Sequence, residues 1–247
     1  MNQVTDQQII EILRKEAVPA LGCTEPVACA LACAKCKEVL GSVPECLDVL
    51  VSGNIYKNGM GVGIPGTGMV GLPIAAALGA VCGKSEYGLE VLKEVNLGDN
   101  LQRAKDMLGQ VTVSLKEDAP DKLYAEALAT KGNDTVKVII VHTHTNIVLV
   151  EKNGEEIFKR EFRLDTSKPE DKGPELSVKR IWDFVHEVDV KDIEFVLQGA
   201  EMNKAISAEG LNSEYGLQIG KTLKENIDKG LLEDDLLNRT LIRATAA

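Results

Sequence analysis

The sequence predicts an α+β fold: a mainly antiparallel sheet with helices packed on one face and a C-terminal helical arm. Three observations favour this class. Apolar stripes at helical spacing fill most of the first part of the chain, residues 111–162 alternate with a period of two between turn signals, and helical spacing returns after residue 176. We therefore divide the chain into an α+β domain over residues 1–170 and a helical segment over residues 171–247.

The first two predicted helices are joined by a short loop that carries a cysteine. An apolar stripe after Thr5 predicts the first helix, and TEPVACALACAKCKEVL predicts the second over Thr24–Leu40, with Thr24 as its cap and Glu25 in its first turn. Cys23 lies immediately before this helix. Because backbone N–H groups at a helix start stabilise a thiolate, we expect a lowered thiol pKa at Cys23. A small buried cysteine that packs the loop is the alternative.

Three cysteines of the second helix share one face, since Cys29, Cys33 and Cys36 follow one another at spacings of four and three. Their spacing is not that of a cluster-binding run, and the geometry of one straight helix is poorly suited to aiming three thiolates at one tetrahedral point. We interpret them as core residues. Cys46 and Cys82 are interpreted as structural, and a disulfide framework is not expected in a chain with no visible signal peptide.

A glycine-rich segment follows a predicted strand over residues 47–55. Within it, the loop IPGTG (residues 64–68) offers free backbone N–H groups that suit an anion, with Gly66 and Thr67 as candidate contacts; a tight turn between packed elements is the alternative. The pattern fits neither a P-loop nor a dinucleotide fingerprint. An Ala-rich helix is predicted over residues 72–82, and two more helices to about residue 108.

From residue 111 the alternation predicts an antiparallel meander, and after a polar linker over residues 165–175 the pattern is helical again. His142 and His144 are placed on one face of a strand, where a structural role in the sheet is favoured over metal binding. The predicted strands are 111–116, 123–132, 135–145, 146–154 and 156–162, and the predicted helices are 177–188, 190–208, 214–229 and 232–247.

Composition excludes some classes of function. The formal net charge is −10, and the chain has no basic cluster interleaved with aromatic residues, so neither nucleic acid nor an anionic membrane surface is an expected partner. No apolar run is long enough to span a membrane, and the N-terminus does not resemble a signal peptide. We therefore expect a cytoplasmic protein.

Three segments resemble one known family. GCTEP (residues 22–26), SGNIYKNGMGVGIPGTGMVG (52–71) and VHTHTNIVLVEKNG (141–154) are similar, in this order, to the L-cysteine desulfidase family, which is related to the iron–sulfur L-serine dehydratases. Members of that family are longer, and the cysteines of their C-terminal half hold a [4Fe–4S] cluster. The resemblance implies that this chain is an N-terminal half that lacks the cluster and is inactive alone.

The resemblance also implies a reaction, the β-elimination of L-cysteine to pyruvate, ammonia and sulfide without pyridoxal phosphate. An L-serine dehydratase component and a non-catalytic amino-acid-binding module remain as alternatives. The implied partners are a small amino acid, the C-terminal iron–sulfur half on the same or a separate chain, and a second copy in a homodimer.

The site residues implied by the resemblance lie in its first two segments. Cys23 matches the family's N-terminal cysteine, either as a cluster ligand or as an acid/base, and Glu25 either tunes it or serves the start of the helix. Asn54, Asn58 and Thr67, together with Gly66 of the glycine turn, are candidates for binding the carboxylate of the amino acid.

Overall fold

The structure, a computed structural model, describes residues 4–161, 176–214 and 217–246. These residues form two compact units, a larger one within Pro19–Pro169 and a smaller one within Met1–Val18 and Glu170–Ala247. The helices are α1 (Asp6–Glu16), α2 (Thr24–Leu40), α3 (Gly53–Gly59), α4 (Leu72–Val81), α5 (Asn100–Met107), α6 (Val178–Glu187), α7 (Val190–Ile193), α8 (Val196–Asn212), α9 (Ile219–Asp228) and α10 (Leu236–Ala246). The strands are β1 (Cys46–Val51), β2 (Gly63–Ile64), β3 (Met69–Val70), β4 (Val111–Leu115), β5 (Tyr124–Lys131), β6 (Asp134–Val141), β7 (Ile147–Lys152) and β8 (Glu155–Lys159).

The larger unit contains a six-stranded sheet in the order β4-β1-β5-β6-β7-β8. The predicted α+β class with a mainly antiparallel sheet is confirmed, and β5 to β8 form the expected meander. Our placement of residues 111–116 in the meander was wrong, because β4 pairs in parallel with β1 at the opposite edge. A parallel pair needs a long crossover, which the helical segment between β1 and β4 provides.

One face of the sheet forms the core. Val113, Val49, Ala127, Val138 and Val150 are aligned across five strands, and all but Val113 are fully buried or nearly so. Helices α2 and α4 cover this face. Alternate residues of β1 point away from it, so the period of two that predicted the strands reflects one buried face.

Helices α2 and α4 pack unusually closely because their contact residues are small. A Cβ atom on Gly79 of α4 would lie 2.2 Å from the backbone oxygen of Ala30 in α2. Cys29, Cys33 and Cys36 are fully buried in this layer, which confirms their interpretation as core residues. Burial raises the pKa of the Cys29 thiol to about 12, so it stays protonated.

The smaller unit has its own apolar cluster. Ile9 and Ile10 of α1 are buried together with Phe184 of α6. The guanidinium of Arg180 donates to the backbone oxygen of Val4 at 2.6 Å and pairs with Asp6. Helices α6 to α10 correspond to the four helices predicted after residue 176, except that the segment 190–208 is divided into α7 and α8. Among the residues that the structure describes, no helix is both long and apolar enough to cross a membrane.

Candidate functional site

A cleft of about 740 Å³ opens in the larger unit near the ends of β1, β5 and β6. Its lining carries charges of both signs together with two imidazoles and two side-chain amides, a combination suited to a small zwitterion. The lining residues are Glu25, Ser52, Gly53, Asn54, Ile55, Asn58, Lys116, Glu117, Ala119, Pro120, Asp121, Lys122, Leu123, His142 and His144.

Ser52 turns the chain from the sheet into one wall of the cleft. We expected a strand over residues 47–55, but β1 ends at Val51 because Ser52 caps α3, accepting from the backbone N–H of Ile55 at 3.5 Å. The buried Ser52 hydroxyl also donates to the backbone oxygen of Lys122 at 2.7 Å. Helix α3 is thereby fastened to the opposite loop, and Asn54 and Asn58, one helical turn apart, line the cleft.

The start of α2 forms a second wall, where Cys23 is the N-cap residue and its side chain makes no capping bond. Instead the Cys23 thiol donates to Glu25 Oε2 at 2.8 Å. Thr24, which we expected to be the cap, is the first residue of the helix, and its hydroxyl lies 3.1 Å from His144 Nε2. Cys23 is partly exposed but does not line the cleft. Its hydrogen bond to Glu25 connects it to a residue that does.

Glu25 is held from both sides. Its second oxygen, Oε1, accepts from Asn58 Nδ2 at 3.1 Å, so the two helices α2 and α3 meet at this carboxylate. Burial alone would raise the pKa of Glu25, but the hydrogen bonds from Cys23 and Asn58 outweigh it and lower the pKa. Glu25 is therefore an ionised, oriented carboxylate at neutral pH.

The Cys23 thiol behaves in the opposite way. Burial raises its pKa, and the hydrogen bond to Glu25 and the charge of that carboxylate raise it further. Our expectation of a lowered thiol pKa was wrong, because burial and the carboxylate two residues away outweigh the effect of the helix start. At neutral pH Cys23 is a protonated donor rather than a thiolate.

The two histidines lie in a turn rather than on a strand. Strand β6 ends at Val141, and the following residues return the chain to β7, with Asn146 Nδ2 donating to the Val141 oxygen at 3.0 Å. His142 and His144 both line the cleft, so the predicted role within the sheet was wrong. Burial lowers the pKa of His144, which keeps this imidazole neutral at neutral pH.

Sequence reasoning missed Asp121 altogether. Its Oδ2 lies 2.8 Å from His142 Nδ1, and its Oδ1 accepts from the backbone N–H of Leu123 at 2.6 Å. The available signal was the run EDAPDK at residues 117–122, whose Pro and Asp residues indicate a loop between β4 and β5. Only the fold shows that this loop faces the turn after β6.

The glycine turn does not line the cleft. The buried Thr67 hydroxyl donates to the Ile64 oxygen at 2.6 Å and accepts from the Met69 N–H at 2.9 Å, both within the turn. Gly66 packs against the side chain of Asn96. The structure thus places Glu25, Asn54 and Asn58 in the lining of the cleft, with Cys23 hydrogen-bonded to Glu25, and leaves Gly66 and Thr67 outside.

The donor groups present do not fit a [4Fe–4S] cluster, which needs several converging thiolates. Within the described ranges, no group of three or more His, Cys, Asp or Glu side chains is arranged to hold a metal ion. Of the six cysteines only Cys23 adjoins the cleft, and it is protonated. Cys46, which we interpreted as structural, is exposed at the start of β1, and the remaining cysteines are buried (Cys29, Cys33, Cys36 and Cys82).

Comparisons with known proteins identify similar proteins, but the names of the relatives described below state no reaction. No protein-family model and no solved structure matches the chain. A protein of Dichelobacter nodosus is 46% identical over 99% of this chain, one of Actinobacillus pleuropneumoniae serotype 3 is 46% identical over 98%, and one of Parabacteroides distasonis is 43% identical over 100%. The chain spans 57%, 56% and 58% of the length of these proteins. Each of these relatives, similar to this chain over nearly its whole length, carries the name UPF0597 protein.

Proposed function

We propose that this chain provides the amino-acid-binding cleft of a lyase that β-eliminates L-cysteine to pyruvate, ammonia and sulfide. The observation that carries the proposal is the Glu25 carboxylate, ionised and held by Cys23 and Asn58 at the edge of a cleft of mixed charge. The resemblance of GCTEP and of the two later segments to L-cysteine desulfidases supplies the reaction.

Glu25 is the group we assign to the α-ammonium of the substrate. A carboxylate has lone pairs beyond the two that Cys23 and Asn58 use, so it can accept a further charge-assisted hydrogen bond. Asn54 and Lys116, which also line the cleft, are assigned to the substrate carboxylate. A zwitterion bound between them has its α-carbon inside the cleft.

The two roles expected for Cys23 differ in the protonation state they need. A cluster ligand and a general base must both begin deprotonated, whereas a general acid begins with its proton. The raised pKa and the bond to Glu25 favour the acid part of the acid/base role, with Cys23 acting through Glu25. In this proposal, any [4Fe–4S] cluster takes its cysteine ligands from outside the described residues. The Dichelobacter nodosus relative is longer than this chain, which spans 57% of its length.

Binding can be tested with this chain alone. Calorimetry with L-cysteine and L-serine is expected to show binding that Glu25→Gln weakens by about 10-fold or more, the loss of one charge-assisted hydrogen bond. The matched control is Glu38→Gln on the same helix, whose carboxylate bonds Ser85 outside the cleft. Absence of binding by the wild-type protein would overturn the proposal.

The reaction itself is tested on a protein of the relatives' length. Sulfide release from L-cysteine identifies a desulfidase, while pyruvate from L-serine without activity on L-cysteine identifies a serine dehydratase. An amino-acid-binding module is the second candidate, because within the described part of the chain no three His, Cys, Asp or Glu side chains are arranged to hold a metal ion. It is favoured if binding survives Cys23→Ala and neither substrate is turned over.

A further inference from the structure

We infer that His144 is a positioning residue of the cleft, which ties the turn after β6 to the first residue of α2 and so keeps Glu25 facing the bound amino acid. The inference rests on the proposed function, in which Glu25 binds the α-ammonium. It assigns a role at the cleft to a side chain that the sequence analysis placed within the sheet.

The tie is a hydrogen bond between two residues that are far apart in the chain. The Thr24 hydroxyl lies 3.1 Å from His144 Nε2, and this contact is partly buried. A hydroxyl can donate to an imidazole nitrogen or accept from it, so the bond forms with either neutral tautomer. Because His144 and Glu25 both line the cleft, the bond joins two of its walls.

The N-cap residue of α2 does not secure the start of this helix. A capping side chain normally stabilises the first turn, but Cys23 makes no capping bond and donates to Glu25 instead. Thr24 is the first helical residue, and its bond to His144 holds the turn from outside the helix. Glu25 is the next residue, so a fixed helix start also fixes the position from which its carboxylate reaches the cleft.

The turn that carries His144 is itself held by hydrogen bonds. The Thr143 N–H donates to the Val141 oxygen at 2.8 Å, and the Asn146 N–H donates to the Thr143 oxygen at 3.1 Å. Asn146 Nδ2 donates to the Val141 oxygen as well, at 3.0 Å. Thr143 is exposed whereas His144 is partly buried, so the turn directs His144 inward.

The protonation state of His144 suits this role. Burial lowers the pKa of His144, although the charge of Glu25 acts in the opposite direction, and the imidazole is therefore neutral at neutral pH. A protonated imidazole beside Glu25 would compete with the α-ammonium for the carboxylate. The neutral ring can hold Thr24 and still leave the charge of Glu25 to the ligand.

The bond can be tested without a ligand, because the chain has only three histidines to assign. In ¹⁵N-histidine spectra we expect Thr24→Val to shift the Nε2 signal of His144 and Thr24→Ser to restore it. His186, in α6 of the other unit, is the internal control and should not shift. A His144 signal that Thr24→Val leaves in place would overturn the inference.

Calorimetry with L-cysteine measures the consequence for binding. Thr24→Val and His144→Ala should each weaken binding about 3-fold or more, and the double variant should bind no more weakly than the weaker single variant. Valine fills the same space as threonine, so a role in packing alone predicts no change in Thr24→Val. Thr24→Ser and His144→Gln keep a hydrogen-bonding group and should stay within about twofold of the wild type.

Two controls and two distinguishable failures complete the experiment. Thr143→Val in the same turn and His186→Gln should bind like the wild type, and circular dichroism verifies that every variant is folded. A wild-type protein that binds no amino acid overturns the proposed function. Binding that is unchanged in Thr24→Val and His144→Ala, or losses that add in the double variant, overturn this inference alone.

Discussion

At the scale of single residues, the Glu25 carboxylate helps to keep the neighbouring Cys23 thiol protonated. Cys23 is at the start of a helix, a position that favours a thiolate, yet its pKa is raised because burial and Glu25 both disfavour a second negative charge. The same hydrogen bond lowers the pKa of Glu25. The pair therefore holds its proton on sulfur.

This coupling predicts the effect of neutralising Glu25. Glu25→Gln removes the neighbouring charge that raises the pKa of Cys23, so the thiol should ionise at a lower pH. The rate of alkylation by iodoacetamide, followed against pH, should show its midpoint shifted downward. The measurement needs a Cys46→Ser background, because Cys46 is the exposed thiol and four of the others are buried.

Two controls complete the test. Cys23→Ser in that background should abolish the fast reaction, and Glu38→Gln should leave the midpoint unchanged, since Glu38 bonds Ser85 and Lys35 instead. A midpoint that stays in place or rises in Glu25→Gln would contradict the coupling.

At this scale the sequence drew attention to candidates that lie close to each other in the chain and missed a distant one. Cys23 and Glu25 both lie in GCTEP, whereas Asn54 and Asn58 are carried by a short helix that begins inside the segment predicted as a strand. Asp121 could not be found in this way, because its partner, His142, is 21 residues further along the chain, beyond the two strands β5 and β6.

At the scale of elements, the crossing of α2 and α4 depends on a residue without a side chain. Gly79→Ala improves intrinsic helix propensity by about 1 kcal/mol, but its Cβ would meet the Ala30 backbone. Overpacking of this kind costs roughly 1–3 kcal/mol, and here the neighbour is backbone that cannot rotate away. We expect a net loss of stability in urea denaturation.

The chain offers a matched control for this substitution. Gly199 lies within α8, and a Cβ there has no neighbour within 4 Å. Gly199→Ala should therefore be neutral or stabilising by up to about 1 kcal/mol. Equal effects at the two glycines would show that α2 and α4 are not as close as described.

Helices with strong local signals were predicted well, and pairing between distant strands was not. The Thr24–Leu40 helix was predicted with its bounds because its apolar run is long and ends at Gly41, whose φ of 76° terminates it. The alternation of residues 135–145 continues past Val141, so the strand prediction ran into the turn that carries the histidines. Local periodicity also cannot distinguish a parallel edge strand from a member of a meander.

At the scale of the whole molecule, each unit has its own apolar core. The main core cluster runs from Val27 to Val150 and lies entirely within the larger unit. We therefore expect residues 19–161, expressed alone, to fold and to unfold cooperatively in urea when followed by circular dichroism. The same segment with Gly79→Ala should unfold at a lower urea concentration, and a broad transition without a cooperative midpoint would contradict the prediction.

The place of β1 in the sheet has a consequence for synthesis on the ribosome. Its two neighbours, β4 and β5, begin at residues 111 and 124, so a nascent chain that has just emerged through residue 51 has no strand to pair with it. In this Val- and Leu-rich segment, the edge that pairs with β4 stays unsatisfied until about sixty further residues have been translated, through Leu115, and the edge that pairs with β5 until about eighty, as the register Cys46↔Thr130 requires. Translation pauses within that interval, or scarcity of nascent-chain chaperones, should affect the yield of this protein more than pauses after residue 131.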